Sequence, residues 1–465
     1  MFNIPQKINN TECGLIQTKT NTDKSLNVRS CDLIKSDSTK STTDTDIYRN
    51  SDNFYKNVDI KNDIYTKTKN YYNYIYTLCN PKVDVQTNNN PKCFPPTDFW
   101  KEYMNNLVAT IKKLKSVYNF DYKNNDNHSF IYKLNIKPTD KIICIGDIHG
   151  GFHTFYRLIR RFEIMGVLET THYKINDGYK IIFTGDIIDR GEYSIEIFSI
   201  LFKFILNNTN SGDIRIIYNR GNHEELNTFT TYGFAQEIEK KINTQISATP
   251  DKIQKLIKSH DELFNNCPAA TIIECDGSRY FIAHGGFSIR DITLGSDKKL
   301  IDSTPDIYTF TNDICIVKPV QREQIMWNDF TSIQNYNNKT VRGVGVKISK
   351  KEIDLFLAKN NIKFIIRGHQ DSYGNSFLFK HNSDVVDIDG AYILRDNIRE
   401  LLLKPVLSDT TKQIKSDNTV DGPIMELDIT KFDSQGALYK VLTISTNTAF
   451  GRPLTFDSFI ILKHA

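Results

Sequence analysis

The sequence predicts an α+β fold in which short buried strands run into polar loops and are packed by helices. Two observations carry that prediction. Five apolar segments each empty into a loop bearing Asp, Asn or His, the pattern of a buried strand ending at a polar edge. Three longer stretches, Phe152 to Met165, Ser194 to Leu206 and Leu226 to Ile242, repeat their apolar residues at helical spacing.

Residues 1–95 are rich in Asn, Thr, Ser, Lys and Asp and bury too little apolar surface to offset chain entropy, so they are expected to form a largely disordered extension. Its tyrosines (Tyr65, Tyr71, Tyr72, Tyr74, Tyr76) read as local packing of a short helix, since basic residues do not concentrate around them. An ordered domain is expected over 96–465. It opens with Thr97 capping a helix from Asp98 to about Val117, whose Phe99, Tyr103, Leu107 and Ile111 lie at helical spacing.

The strands follow in order. Lys141 to Ile145 leads into Gly146, Asp147, Ile148, His149, Gly150; Tyr179 to Phe183 leads into Gly185, Asp186, Ile187, Ile188, Asp189, Arg190, Gly191. Ile214 to Tyr218 precedes Arg220, Gly221, Asn222, His223, Glu224; Arg279 to Ala283 precedes His284, Gly285, Gly286; Lys363 to Ile366 precedes Arg367, Gly368, His369. A stretch of mixed polarity at about 385–436, with Ser416 to Gly422 as loop, reads as an insertion before two closing strands, Tyr439 to Ser445 and Phe456 to Leu462.

Composition narrows the class. A net charge of +4 from 59 basic and 55 acidic side chains is too nearly balanced for a nucleic-acid or membrane surface. Eight scattered cysteines without a CxxC pair read as reduced structural thiols, and no run of about 18 apolar residues or apolar leader occurs. A soluble intracellular protein, cytoplasmic by default, is the expectation.

The loop residues define a chemistry. Asp147, His149, Asp186, Asn222, His284 and His369 are oxygen and imidazole donors with no thiolate among them, a set that suits manganese, iron or zinc. Six such ligands, one a bridging carboxylate, can hold two ions about 3.5–4 Å apart and clamp an in-line displacement at phosphorus. A hydroxide between the ions would be the nucleophile. His223 is placed to protonate the leaving oxygen, a carboxylate such as Asp189 would fix its tautomer, and Arg190 and Arg342 can grip phosphate in forked geometry. No cysteine is followed six residues later by arginine, which argues against the covalent cysteine route. Six other histidines receive no role, and Arg220 and Glu224 read as loop-fixing groups.

Taken together, GDIHG (146–150), GDIIDRG (185–191), RGNHE (220–224), HGG (284–286) and RGH (367–369) resemble, in order, the phosphoprotein phosphatases, the serine/threonine protein phosphatases among the calcineurin-like metallophosphoesterases. Tyr232, Gly233, Phe234 and Trp327, Asn328, Asp329 are similar to the same subgroup. The resemblance implies a metallophosphoesterase fold: a central two-sheet β-sandwich flanked by helices, with a dinuclear metal site at strand ends. It implies Asp147, His149 and bridging Asp186 at a first ion, Asn222, His284 and His369 completing a second, His223 as acid paired with Asp189, and Arg190 and Arg342 on phosphate. Two divalent ions, manganese first, a phosphoprotein substrate and a regulatory subunit follow by analogy. The chain departs from the family at Gly151, usually glutamine, in the long segment after His369, and at Ser445 to Gly451, where Phe450 stands in place of a tyrosine. A diadenosine tetraphosphate hydrolase or other small-molecule phosphoesterase is the enzymatic alternative, and a non-catalytic binding module the third.

Overall fold

The computed structural model describes residues 97–370, apart from 153–154, 156–157, 160–161, 164, 171, 192, 247, 295–299 and 332–342, together with 376–380, 425–428, 439–444 and 459–463. The predicted extension and its tyrosines, Arg342, the 416–422 loop and the 445–451 loop with Phe450 lie outside these residues.

In chain order the strands of the two main sheets are Ser129–Asn135 (β1), Lys141–Ile145 (β2), Tyr179–Phe183 (β3), Ile216–Tyr218 (β4), Ala270–Cys275 (β5), Ser278–Ala283 (β6), Ile314–Val317 (β7), Ile362–Arg367 (β8), Ser376–Lys380 (β9), Met425–Asp428 (β10), Tyr439–Thr443 (β11) and Phe459–Lys463 (β12). Among the described residues, one sheet runs β10-β12-β2-β3-β4 and the other β7-β1-β5-β6-β8-β11-β9. The helices are Thr97–Tyr118 (α1), Ser194–Asn208 (α2), Leu226–Tyr232 (α3), Phe234–Ile246 (α4), Pro250–Asn265 (α5), Pro319–Trp327 (α6) and Lys350–Asn360 (α7).

Strand polarity positions the site. β2, β3 and β4 are parallel neighbours, with Ile143 opposite Ile181 and Ile181 opposite Ile216. β6 and β8 are parallel in the other sheet, with Ile282 opposite Ile366. Parallel neighbours end on the same side, so the loops after β2, β3 and β4 leave one edge together, as do those after β6 and β8. The two edges meet: His369 N–H donates to the Asp147 carboxylate at 3.1 Å across 222 residues of chain.

Burial explains the apolar runs. Ile142, Ile143, Cys144 and Ile145 are all buried, so β2 is covered on both faces and reads as a continuous apolar run. The seven-stranded sheet alternates: Ile273, Tyr280, Ile282, Phe364 and Ile366 join the large core shared with β2 and β3, while Ile272, Phe281, Ala283 and Ile365 face a second core with Ile353 and Phe356 of α7. Helix α1 buries Phe99, Tyr103, Leu107 and Ile111, the predicted stripe, together with Trp100 and Leu114, each worth roughly 1.5–3 kcal/mol when fully buried. Tyr103 O–H donates to His260 Nε2 at 2.7 Å and so pins α1 to α5.

Two expectations need correction. The helix expected over Leu226 to Ile242 is two helices, because Gly233 adopts φ 133° and turns the chain between α3 and α4. The third strand starts at Ile216 and not Ile214, since Asp213–Ile214 pairs back on Thr209–Asn210 as a hairpin. Strand β10, inside the 385–436 stretch, pairs in parallel with β12 at the edge of the five-stranded sheet.

Candidate functional site

Five residues of the predicted site hold the left-handed backbone that side chains disfavour: His149 (φ 48°), Asp186 (53°), Asp189 (69°), Arg190 (66°) and His369 (72°). Each costs about 1–2 kcal/mol and persists because neighbouring loops overdetermine it. The N–H groups of Ile148 and His149 both donate to Asp186 O at 2.9 Å, and Gly150 N–H donates to Ile187 O at 2.7 Å, which laces the loop after β2 to the loop after β3. Two glycines permit the close approach. A Cβ on Gly221 would collide with the Asp186 carboxylate, and one on Gly368 with the Asp147 carboxylate.

Nine of the ten predicted site residues come together, and the tenth, Arg342, lies outside the described residues. His284 Nε2 sits 2.7 Å from Asn222 Oδ1, 3.1 Å from His369 Nδ1 and 3.2 Å from Asp186 Oδ2. His369 Nδ1 is 2.9 Å from Asn222 Oδ1, so these donors form one compact group. On the other side of Asp186, His149 Nε2 lies 3.6 Å from Asp186 Oδ2, and Asp147 Oδ1 is 3.7 Å from His284 Nδ1. Donors bound to one ion at about 2.1 Å stand about 3 Å apart when their bonds are at right angles. The spacings of 2.7–3.2 Å around His284 fit that requirement, and Asp186 faces both donor groups. Buried oxygen and imidazole groups in this arrangement fit a pair of divalent ions.

His223 stands beside the donors with its ring defined at both nitrogens. Its Nδ1 donates to Asp189 Oδ2 at 2.7 Å, and Arg190 Nη2, which can only donate, lies 3.1 Å from Nε2. The imidazole is therefore held as the Nδ1–H tautomer with Nε2 as acceptor. His149, Asp186 and His223 also form a group of donor atoms within 4.8 Å. With Nε2 turned to Arg190 and Nδ1 to Asp189, His223 is the member least available to a metal. Burial pushes the Asp189 carboxyl up to about 8; the Phe234 N–H, at the start of α4 and 2.9 Å from Oδ1, pulls the other way.

Several residues around this centre lie beyond the sequence reading. Asp329 Oδ1 is 3.4 Å from His369 Nε2, and Nδ1 of the same ring faces the donor group. Trp327 packs edge-on to His369 at 6.2 Å between centroids, and its Nε1 donates to Glu225 at 2.9 Å. Tyr232, 50% exposed, meets His223 edge-on at 5.3 Å and lines the mouth. Tyr232, Trp327 and Asp329 figured in the sequence only as marks of a subgroup, because nothing in their local spacing points to the loops they meet. The buried Arg367 guanidinium donates to Gly285 O, to Asn328 O at 3.2 Å and to Gln370 Oε1 at 2.5 Å, tying three loops together.

Comparison with known proteins agrees with this geometry. The chain is 30% identical over 237 residues to the serine/threonine-protein phosphatase 4 catalytic subunit of Saccharomyces cerevisiae, covering 51% of this chain and 65% of that protein. It is 30% identical over 245 residues to serine/threonine-protein phosphatase 5 of Homo sapiens, covering 52% of this chain and 41% of that protein. The chain thus spans less than two thirds of the length of either relative. A solved yeast serine/threonine phosphatase described as similar to human PP5 aligns at TM-score 0.41 and 20% identity over 63% of this chain and 75% of that one, an overlap too loose to carry an argument. The family model for calcineurin-like phosphoesterases matches residues 140–373, half of the chain and the part that contains all five loops. Matched motifs, sheet order and convergent donors together mean that the chain belongs to the calcineurin-like phosphoesterase family.

Proposed function

We propose that the chain is a metal-dependent serine/threonine protein phosphatase that hydrolyses phosphoserine and phosphothreonine monoesters in proteins. The observation that carries this reading is the convergence of nine side chains from five loops, with the His223–Asp189 pair beside the donor cluster. The relatives, both serine/threonine-protein phosphatases, support a protein substrate over a small molecule. Asp147, His149 and Asp186 would hold one divalent ion, and Asp186, Asn222, His284 and His369 a second. Manganese is the assigned ion, with iron or zinc compatible with the same donors. Bound here, the ion pair supplies Lewis acidity toward the phosphoryl group and toward water.

The remaining work falls to the chain's own residues. Arg190, now 3.1 Å from His223 Nε2, turns to a phosphoryl oxygen when substrate arrives, joined by Arg342. That movement frees Nε2 to take up a proton from solvent, and the resulting imidazolium gives that proton to the departing serine or threonine oxygen. Asp189, 2.7 Å from Nδ1, stabilises the imidazolium and keeps the ring aimed. Tyr232 and Trp327 flank the mouth where a peptide would lie. A phosphoprotein and a regulatory subunit are the partners of this reading, and an intracellular compartment its setting. Among the described residues no helix is long and apolar enough to cross a membrane.

The test is metal analysis of purified protein together with turnover of a phosphopeptide and of a dinucleotide polyphosphate. The proposal expects bound divalent metal and preference for the phosphopeptide. Turnover of the dinucleotide alone would make the chain a small-molecule phosphoesterase, and no turnover of an aryl phosphate in added manganese would make it a binding module.

A further inference from the structure

Arg220, Glu224 and Arg367 are charged motif residues with no part in the proposed chemistry, and all three are buried. Glu224 has the most specific surroundings. Its Oε2 accepts from Asp186 N–H at 2.9 Å and Gly221 N–H at 2.7 Å, and its Oε1 accepts from Ile187 N–H at 2.9 Å. These amides belong to two loops beyond the last rung of the β3–β4 ladder, Phe183 opposite Tyr218, where regular pairing has ended. Asp186 there has φ 53°, a conformation that local sterics oppose. Its Oδ1 in turn accepts from His223 N–H at 3.0 Å, so Asp186 and the loop bearing Glu224 hold each other.

We infer that Glu224 is the positioning residue for Asp186: its buried carboxylate replaces the missing strand neighbour, fixes the left-handed turn and aims the Asp186 carboxylate at both donor groups. The inference rests on the proposed metal role of Asp186. The charge type matters. A carboxylate offers acceptors to all three N–H donors, whereas glutamine has one oxygen and would set its NH₂ against an amide. Aspartate, one methylene shorter, would not span the same gap.

Glu224→Gln in the full chain should weaken metal affinity by about tenfold or more, as is usual when a ligand loses its support. It should lower kcat comparably with KM for a phosphopeptide unchanged. Glu352→Gln is the control: Glu352 is another buried carboxylate, accepting from Ser349 and Ser303 at the start of α7, and its loss should leave metal affinity unchanged. In metal-stripped wild type the Asp186 and Ile187 amides should exchange hydrogen slowly, and in Glu224→Gln faster. Unchanged metal affinity in Glu224→Gln, or an equal loss in Glu352→Gln, overturns the inference. Should Glu224→Gln not fold, exchange in the wild type decides: slow exchange at both amides supports the role and fast exchange ends it. A wild type that binds no metal and turns over no phosphopeptide instead refutes the reading of the site, and the two failures are told apart by the wild type alone.

Discussion

The loops after β2, β3 and β4 and those after β6 and β8 build opposite walls of one site in different ways. On the first wall His149, Asp186, Asp189 and Arg190 all have left-handed backbone, and the frame is an anion, Glu224, accepting from three N–H groups. On the second wall only His369 among the named residues is left-handed, and the frame is a cation, Arg367, donating to carbonyl oxygens of Gly285 and Asn328. The difference follows from what each wall exposes. Tight left-handed turns point successive N–H groups inward and ask for an acceptor, as anion-binding nests do. On the second wall the carbonyls of Gly285, after β6, and Asn328, after α6, turn to Arg367 and ask for a donor. The first wall also carries the hydrogen-bonded pair His223–Asp189, so backbone strain and that pair are concentrated together, while the second wall carries His284 and His369.

The largest effect should separate proton work from metal work within the first wall. His223→Ala should lower kcat by about 10²–10⁴-fold while metal content stays at the wild-type value, whereas Asp186→Asn should lose metal and turnover together. Unchanged turnover in His223→Ala would remove the acid from that wall and break the comparison. Next comes the frame of the second wall. Arg367→Met deprives two buried carbonyls and Gln370 of their donor and should cost on the order of 3 kcal/mol in chemical denaturation of the metal-free protein. It should also reduce bound metal from about two ions toward one, the pattern expected if the walls are held separately. Complete loss of both ions would mean that they are not.

A smaller effect tests whether acid acts through the site or through the body. His260 is fully buried, accepts from Tyr103 O–H and donates through Nδ1 to Leu256 O at 2.9 Å, and burial lowers its pKa to about 4. The unfolded chain then binds more protons than the native one between pH 6.5 and about 4. The stabilisation is full above the unfolded value near 6.5 and is lost as pH falls toward the folded value. By pH 5 the loss is about 2 kcal/mol relative to neutral pH, read from urea unfolding, and His260→Gln should flatten that slope. The smallest effect is at Asp329→Asn, which weakens the orientation of His369 on the second wall. Metal affinity should fall by about tenfold with stability unchanged, measured by competition with a chelating indicator.

Much of this site was legible along the chain because its parts are local. An apolar run followed within a few residues by Asp, Asn or His marks a strand end, and β2 and β3 begin and end at the predicted residues. The side chains that act through distance were not legible. Asp329 meets His369 40 residues on, and Asp189 meets His223 34 residues on, the second pairing foreseen because an acid imidazole needs a carboxylate partner and because both lie in motifs whose order resembles a family. Strand β1 was missed since Tyr132 and Lys133 interrupt its apolar pattern, and its place was settled by pairing with β5 and β7.

Sequence alone settled the residue types available to the site, the strand ends that carry them and the absence of a thiolate among them, because those depend on short-range pattern and side-chain chemistry. Tertiary structure decided which donors share a neighbour, that Arg190 rests on His223, and that Glu224 and Arg367 hold opposite walls. Those choices arise where parallel strands from two sheets end side by side. There hydrogen bonds between residues far apart in the chain, and not local propensity, determine the backbone.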